Sequence, residues 1–292
     1  WMQTGFGDGM YQQVDPTNHR YVYANSNGGG YYRMDPETGD MLDIRPRAPE
    51  GEEAYRWDWV SPSLVSVHDP SVVYLGGNRL FISGDHAESW TRTEDLTRRE
   101  DRDEMRLMGV FGADVTISRN DGTSNYGEII VIAESPLDAQ VLWVGTDDGN
   151  VQVSRDKGRN WTEVSSNIGG VRNGTYVSRI LGSRTGAGVA YVALDAHRDG
   201  DFEPYVYRTR DFGQTWEPLM ANLPSGSVNS MVEHPDNPNV LFVGTEHGLF
   251  VSTDAGGQWA RMPNLPTTHI DDLVIHPREK DLIIGTHGQS AW

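Results

Sequence analysis

Short apolar runs edged by Gly, Pro, Asp and Asn follow one another along the whole chain, and their order repeats. His234-Pro235-Asp236-Asn237-Pro238-Asn239 leads into Val240-Leu241-Phe242-Val243, then Gly244-Thr245, then Gly248-Leu249-Phe250-Val251. Upstream, Ser135-Pro136-Leu137-Asp138 leads into Val141-Leu142-Trp143-Val144-Gly145-Thr146, and Gly149 into Val151-Gln152-Val153. His68-Asp69-Pro70 precedes Val72-Val73-Tyr74-Leu75-Gly76 and Leu80-Phe81-Ile82, and Val14-Asp15-Pro16 precedes Tyr21-Val22-Tyr23-Ala24 and Tyr31-Tyr32-Arg33. His276-Pro277-Arg278 leads to Leu282-Ile283-Ile284-Gly285-Thr286. Runs this short, rich in β-branched and aromatic residues and bounded by turn formers, predict strands.

A second signal follows the third run of a repeat: Ser/Thr-x-Asp-x-Gly-x-x-Trp, an Asp-box. Full copies occupy residues 154–161, 209–216 and 252–259, and a fourth at 83–90 keeps Asp85 and Trp90 but carries Ala87 in place of the glycine. In the first repeat Asp35-Pro36-Glu37-Thr38-Gly39 takes its place. Such a phrase is a hairpin turn: the Asp carboxylate accepts turn N–H groups, Gly supplies a positive φ, and the Trp ring folds back under the hairpin. Asp85, Asp156, Asp211 and Asp254, with Trp90, Trp161, Trp216 and Trp259, are therefore read as structural, on the outer rims of separate repeats.

Strand, turn, strand, turn, strand, box, strand, at a period of roughly 40 to 55 residues, predicts an all-β β-propeller of four-stranded blades. The residues supply about five blades and the first two strands of a sixth, as one propeller region over residues 1–292. The box Trp residues lie 71, 55 and 43 apart, because insertions lengthen some repeats. One is a charged loop over 92–125, with a short helix expected at 99–108; the other is an acidic loop over 197–204.

Composition narrows the picture. The chain has 292 residues, 37% of them apolar, with 33 Gly and a formal net charge of -18. That charge disfavours nucleic acid and anionic membrane surfaces as partners, and no apolar run reaches the roughly 18 residues of a membrane span. The absence of Cys removes disulfides and thiolate metal sites. Trp1 without a leader and Trp292 in mid-blade suggest a piece of a longer protein, truncated at both ends.

The phrases Glu134-Ser135-Pro136-Leu137-Asp138, Trp143-Val144-Gly145-Thr146-Asp147-Asp148-Gly149, Phe242-Val243-Gly244-Thr245-Glu246-His247-Gly248-Leu249-Phe250 and Gly285-Thr286-His287-Gly288 carry a resemblance. The chain is similar to the large bacterial BNR/Asp-box repeat proteins, described as glycosyl-hydrolase-like or sortilin-like propellers, from Gly9 to Trp292. That group includes sialidases, xyloglucan-cleaving enzymes, sorting receptors and photosystem assembly factors, so the resemblance specifies fold more than activity. It implies a secreted or periplasmic location and further blades of the same protein before Trp1. In xyloglucan-cleaving relatives the cleft lies between two propellers and takes one acid from each.

Candidate chemistry belongs where inner strands begin, since those ends converge on the channel. Counting back along each repeat places Asp8, Glu128, Tyr176, Ser227 and His269 there, with Ser178, Arg179, Asn229, Asp271 and Asp272 just beyond and Trp57-Asp58-Trp59 ahead of the second blade. Two carboxyls about 5 to 9.5 Å apart are what glycoside hydrolysis needs, so Asp58, Glu128, Asp271 and Asp272 are the candidate catalytic acids. Trp57, Trp59, Tyr126, Tyr176, Arg179 and His269 are candidate ligand contacts, as rings stack on sugar faces and Arg binds hydroxyls.

The loop Asp195-Ala196-His197-Arg198-Asp199-Gly200-Asp201 spaces oxygens like the start of an EF-hand. Asp195, Asp199 and Asp201 are the candidate metal ligands there, weakly bound calcium being the alternative to a solvated loop; no other cofactor is implied. No His-Glu-x-x-His, Gly-x-Ser-x-Gly or P-loop occurs. The sequence thus reads as a non-catalytic scaffold that binds a protein or glycan. The alternative is part of a glycoside hydrolase, xyloglucanase- or sialidase-like. No Arg-Ile-Pro or three-arginine cluster supports the sialidase form.

Overall fold

A computed structural model describes residues 7–107, 109–115 and 126–292. The apolar runs become strands grouped in order. The first blade is β1 (Gly9–Val14), β2 (Val22–Ser26), β3 (Gly30–Met34) and β4 (Met41–Asp43). The second is β5 (Ser63–Val65), β6 (Val73–Gly76), β7 (Leu80–Ser83) and β8 (Thr91–Arg92). A hairpin, β9 (Arg106–Leu107) with β10 (Val110–Phe111), precedes the third, β11 (Ile129–Glu134), β12 (Leu142–Thr146), β13 (Val151–Ser154) and β14 (Thr162–Glu163). The fourth is β15 (Tyr176–Gly182), β16 (Ala190–Asp195), β17 (Val206–Thr209) and β18 (Glu217–Pro218). The fifth is β19 (Val228–Glu233), β20 (Leu241–Thr245), β21 (Gly248–Ser252) and β22 (Ala260–Arg261), and β23 (Ile270–Ile275) pairs with β24 (Leu282–Thr286) in a sixth. All pairing within blades is antiparallel and sequential. The all-β propeller of five blades and part of a sixth is as the repeats predict.

Between residues 99 and 107 the chain turns and enters β9 rather than forming the expected helix; residue 108 lies outside the described residues. Residues 99–104 are all charged and supply no apolar stripe, so a helix would have had little face to bury.

The core is divided between neighbouring blades. Trp143 of the third blade packs with Val177, Val192 and Tyr207 of the fourth; Tyr191 of the fourth packs with Met231, Val243 and Trp259 of the fifth. Strands covered on both faces read as continuous apolar runs, hence Ile129-Ile130-Val131-Ile132-Ala133 in β11, buried throughout. The glycine near the end of the second strand in the second, third and fifth blades, Gly76, Gly145 and Gly244, belongs to this packing. A Cβ on Gly145 would lie 2.5 Å from Val177, and one on Gly244 would lie 2.6 Å from Ile270, so each lets the next inner strand approach.

The Asp-boxes form as turns. Asp156 accepts the Asn160 N–H at 2.8 Å and the Ser154 hydroxyl at 2.9 Å, while Ser154 Oγ accepts the Gly158 N–H at 2.8 Å. Asp85, Asp211 and Asp254 repeat the pattern. Two successive residues adopt positive φ in each box, such as Lys157 at 61° and Gly158 at 82°; Ala87 holds 68° without being glycine. The box glycine also touches the blade before its own: a Cβ on Gly158 would come within 2.8 Å of Ile82, on Gly213 within 2.7 Å of Val164, and on Gly256 within 3.0 Å of Leu219.

A second inter-blade link is a buried glutamate. Glu134 at the end of β11 accepts the Ser66 hydroxyl at 2.9 Å, the Tyr74 hydroxyl at 3.0 Å and the Val67 N–H at 2.9 Å, all from the second blade. Glu233 at the end of β19 does the same with Ser183, Arg184 and Tyr191 of the fourth blade, at 2.7, 2.7 and 3.3 Å.

Candidate functional site

The inner strands β1, β5, β11, β15, β19 and β23 line one central cavity of about 580 Å³, to which they contribute Tyr11, Ser63, Ile132, Arg179, Met231 and Leu273. Near the start of most inner strands the pairing register slips. One residue is passed over at Ile130, Ser178, Asn229 and Asp271, and β1 shifts between Gly9 and Gln12. A bulge re-aims the side chains beside it. Ser178 uses its new direction to donate to the Val228 carbonyl of the next blade at 2.6 Å.

Three carboxylates converge at this end of the channel. Asp58 arrives on the connection between the first and second blades, Glu128 stands just ahead of β11, and Asp147 sits in the turn from β12 to β13. One oxygen from each lies within 4.8 Å of the others, and this is the group of acids that converges so among the described residues. Asp58 is 8% exposed, Asp147 6% and Glu128 0%. Asp147 is held by the N–H groups of Glu128 at 2.7 Å and Gly127 at 3.2 Å, and its own N–H donates to the Glu128 carbonyl at 3.1 Å. Asp58 accepts the Val60 N–H at 2.7 Å. Neither carboxylate oxygen of Glu128 accepts a hydrogen bond from an N–H or hydroxyl group; the carboxyl it meets is that of Asp147.

Burial pushes all three acids up from the usual carboxylate range. For Glu128 the charges of Asp147 and Asp58 add to it, and for Asp147 the charges of Asp148 and Asp58 do. The neighbouring Asp148 is buried but satisfied, by the Thr146 hydroxyl and by the Arg98 N–H at 2.8 Å.

Around the acids stand rings and guanidinium groups. Tyr126 donates to the Asp147 carbonyl at 3.4 Å with Arg102 over its ring at 5.0 Å, and Arg198 lies 5.3 Å from the Tyr176 ring. Tyr176 feels the charges of Asp58 and Asp147, and Tyr11 those of Arg179, Asp272 and Asp58; burial raises both phenols. Arg179 pairs with Asp272 at 3.1 Å, joining the fourth blade to the sixth.

The other candidates take separate places. Trp57 is buried in the core, its ring 5.2 Å from Phe81 and 5.5 Å from Tyr31, whereas Trp59 is 39% exposed. Asp271 is exposed and lies 3.6 Å from His269 and 3.8 Å from His287. In the acidic loop each aspartate turns to its own partner. Asp195 binds His197 at 2.7 Å and Ser227 at 2.5 Å, Asp199 pairs with Arg172, and Asp201 accepts the Tyr205 hydroxyl at 2.7 Å. Asp8 is exposed at the start of the first blade.

Asp147 was not among the residues singled out from the sequence. Its signal was Thr146-Asp147-Asp148-Gly149, two acids in a turn whose counterpart in the fifth blade reads Thr245-Glu246-His247-Gly248. Second-to-third-strand turns lie at the same end of a blade as the start of its inner strand, so such a turn can reach the channel.

Comparison with known proteins agrees with this architecture. The family model described as sortilin, neurotensin receptor 3 (Sortilin-Vps10) matches residues 204–291. An oligoxyloglucan-reducing end-specific xyloglucanase of Emericella nidulans is 23% identical over 69% of this chain and 22% of its own length. A xyloglucanase of a Paenibacillus species is 22% identical over 99% of this chain and 30% of its own length. The chain therefore spans under a third of these relatives. Among solved structures, the GH74 xyloglucanase of Xanthomonas campestris superimposes with a TM-score of 0.66 at 18% identity, covering 97% of this chain and 43% of that one. The extracellular domain of a hybrid two-component system of B. thetaiotaomicron gives 0.66 at 11% identity, covering 98% and 33%. The chain therefore has the fold of an Asp-box propeller, and its residues 204–291 are similar to the sortilin model.

Proposed function

We propose that this chain is the propeller portion of an extracytoplasmic glycoside hydrolase that engages a xyloglucan-type β-glucan across its channel mouth. The observation that carries the reading is the placing of Tyr11 beside the Arg179–Asp272 pair and Asp58, with Tyr176 beside Asp58 and Tyr11. Phenols and the exposed Trp59 supply faces for sugar rings, and Arg179, Asp271 and Asp272 supply hydrogen bonds to hydroxyls. The similarity to xyloglucanases supports this substrate class. Asp271 and Asp272, both exposed, are the acids a glycosidic oxygen could reach. Glu128 is fully enclosed and would act through Asp58.

The test is calorimetric titration of the chain with xyloglucan oligosaccharides, beside a reducing-end assay. Trp59→Ala should weaken binding by about 1 to 3 kcal/mol, as apolar contact is lost, and Asp272→Asn should leave binding in place while removing any turnover. Absence of binding to xyloglucan and to other soluble β-glucans would overturn the proposal.

A role in binding without turnover is the second reading. One observation favours it: Asp58, Glu128 and Asp147 are buried, and Asp272 is already paired with Arg179. Binding of oligosaccharide with no reducing ends released, in the wild type, is its expected signature.

A further inference from the structure

We propose that Asp58, Glu128 and Asp147 form a binding site for one divalent cation of the size of Ca²⁺. The site would pin the connection between the first two blades to the third blade at the channel mouth. It shares Asp58 and Glu128 with the glycan reading, but its test reads metal binding alone.

Two observations carry it. The first is geometric. Oxygens from three separate segments lie within 4.8 Å of one another. Calcium binds oxygens at about 2.3 to 2.6 Å, so two ligands on opposite sides of it stand about 5 Å apart, whereas magnesium at about 2.1 Å demands a tighter set. The second is the state of Glu128. Its side chain is fully buried and turned into the cluster, and neither oxygen accepts a hydrogen bond. A buried carboxylate is ordinarily hydrogen-bonded, paired or bound to metal. The nearby Arg56 is already engaged, by Asp95 at 3.1 Å, Thr97 at 3.2 Å and the Gly127 carbonyl at 3.1 Å.

The other two acids are prepared as ligands. Asp147 accepts one backbone N–H on each oxygen, which orients the carboxylate and leaves a lone pair on each. Asp58 is oriented in the same way by the Val60 N–H at 2.7 Å. By contrast Asp195, Asp199 and Asp201 in the acidic loop are drawn apart by His197, Arg172 and Tyr205.

The experiment uses the metal-stripped chain and Tb³⁺ as the luminescent probe for calcium, with Tyr126 and Tyr176 as sensitisers. One Tb³⁺ per chain is expected, displaced by Ca²⁺ well ahead of Mg²⁺. At a hundredfold excess over Kd, Ca²⁺ should raise Tm by about 5 °C. Both responses should disappear in Glu128→Gln and in Asp147→Asn, and persist in Asp199→Asn and Asp201→Asn. Lack of sensitised emission and of any Tm shift in the wild type would overturn the proposal, leaving a shared proton to hold the acids together. So would responses that survive in Glu128→Gln or vanish in Asp201→Asn. If Glu128→Gln does not fold, Asp58→Asn and the wild-type stoichiometry decide the matter.

Discussion

At the scale of single residues, one carboxylate stabilises each hairpin while three others are buried together, and the two kinds respond oppositely to pH. Hydrogen bonds from the Ser89 hydroxyl, the Ser83 hydroxyl and the Ser89 N–H hold Asp85 down at about 2, and those from Asn160 hold Asp156 down at about 2. In the unfolded chain such groups titrate at about 3.9. Their contribution is therefore complete above pH 4 and is lost as pH falls through about 2. Acid titration followed by circular dichroism should show Asp85→Asn and Asp156→Asn variants with a shallower loss of Tm between pH 4 and 2 than the wild type. An unchanged slope would mean these turns do not favour the ionised form. The box aspartates were legible in the sequence, because one eight-residue phrase contains the acid and all its partners. Asp147 was not, because what makes it notable is the approach of Asp58 and Glu128 from segments distant along the chain.

At the scale of elements, the four boxes look interchangeable as strings and differ as packed objects. Trp259 is 5% exposed, its ring N–H donating to the Leu219 carbonyl at 2.8 Å and its backbone N–H to Asn222 at 2.8 Å. Trp161 is only half-buried and bonds within its own turn, to the Gly158 carbonyl at 3.0 Å. Trp259→Ala should cost about 3 to 5 kcal/mol, the range for emptying a buried aromatic site, and Trp161→Ala clearly less. Urea melts would measure both, and equal losses would remove the distinction. The motif announced a ring beneath each hairpin, but its depth depends on the blade alongside. Trp57 makes the same point: in sequence it pairs with Trp59 beside an acid, yet Phe81 and Tyr31 take its ring into the core while Trp59 stays outside.

At the scale of the whole molecule, blade order could be read directly, since each repeat contains its own strands and turns and sequential strands pair. The channel mouth could be read only in part. Repeat counting located Glu128, Tyr176 and Asp271, but the bulges that aim them and the path of the inter-blade connections are tertiary effects. The contact of each box glycine with the preceding blade, Gly158 on Ile82, Gly213 on Val164 and Gly256 on Leu219, gives the array a direction. Under mechanical load that direction becomes a sequence of events. Tension applied at Trp292 in an optical trap should shed the blades of this chain from that end in separate steps of roughly 150 Å of released chain, because each box leans on the blade before it. A single rip of the entire chain would show instead that the blades share their load, so the stack behaves as a row of overlapping tiles only if it comes away from the last one laid.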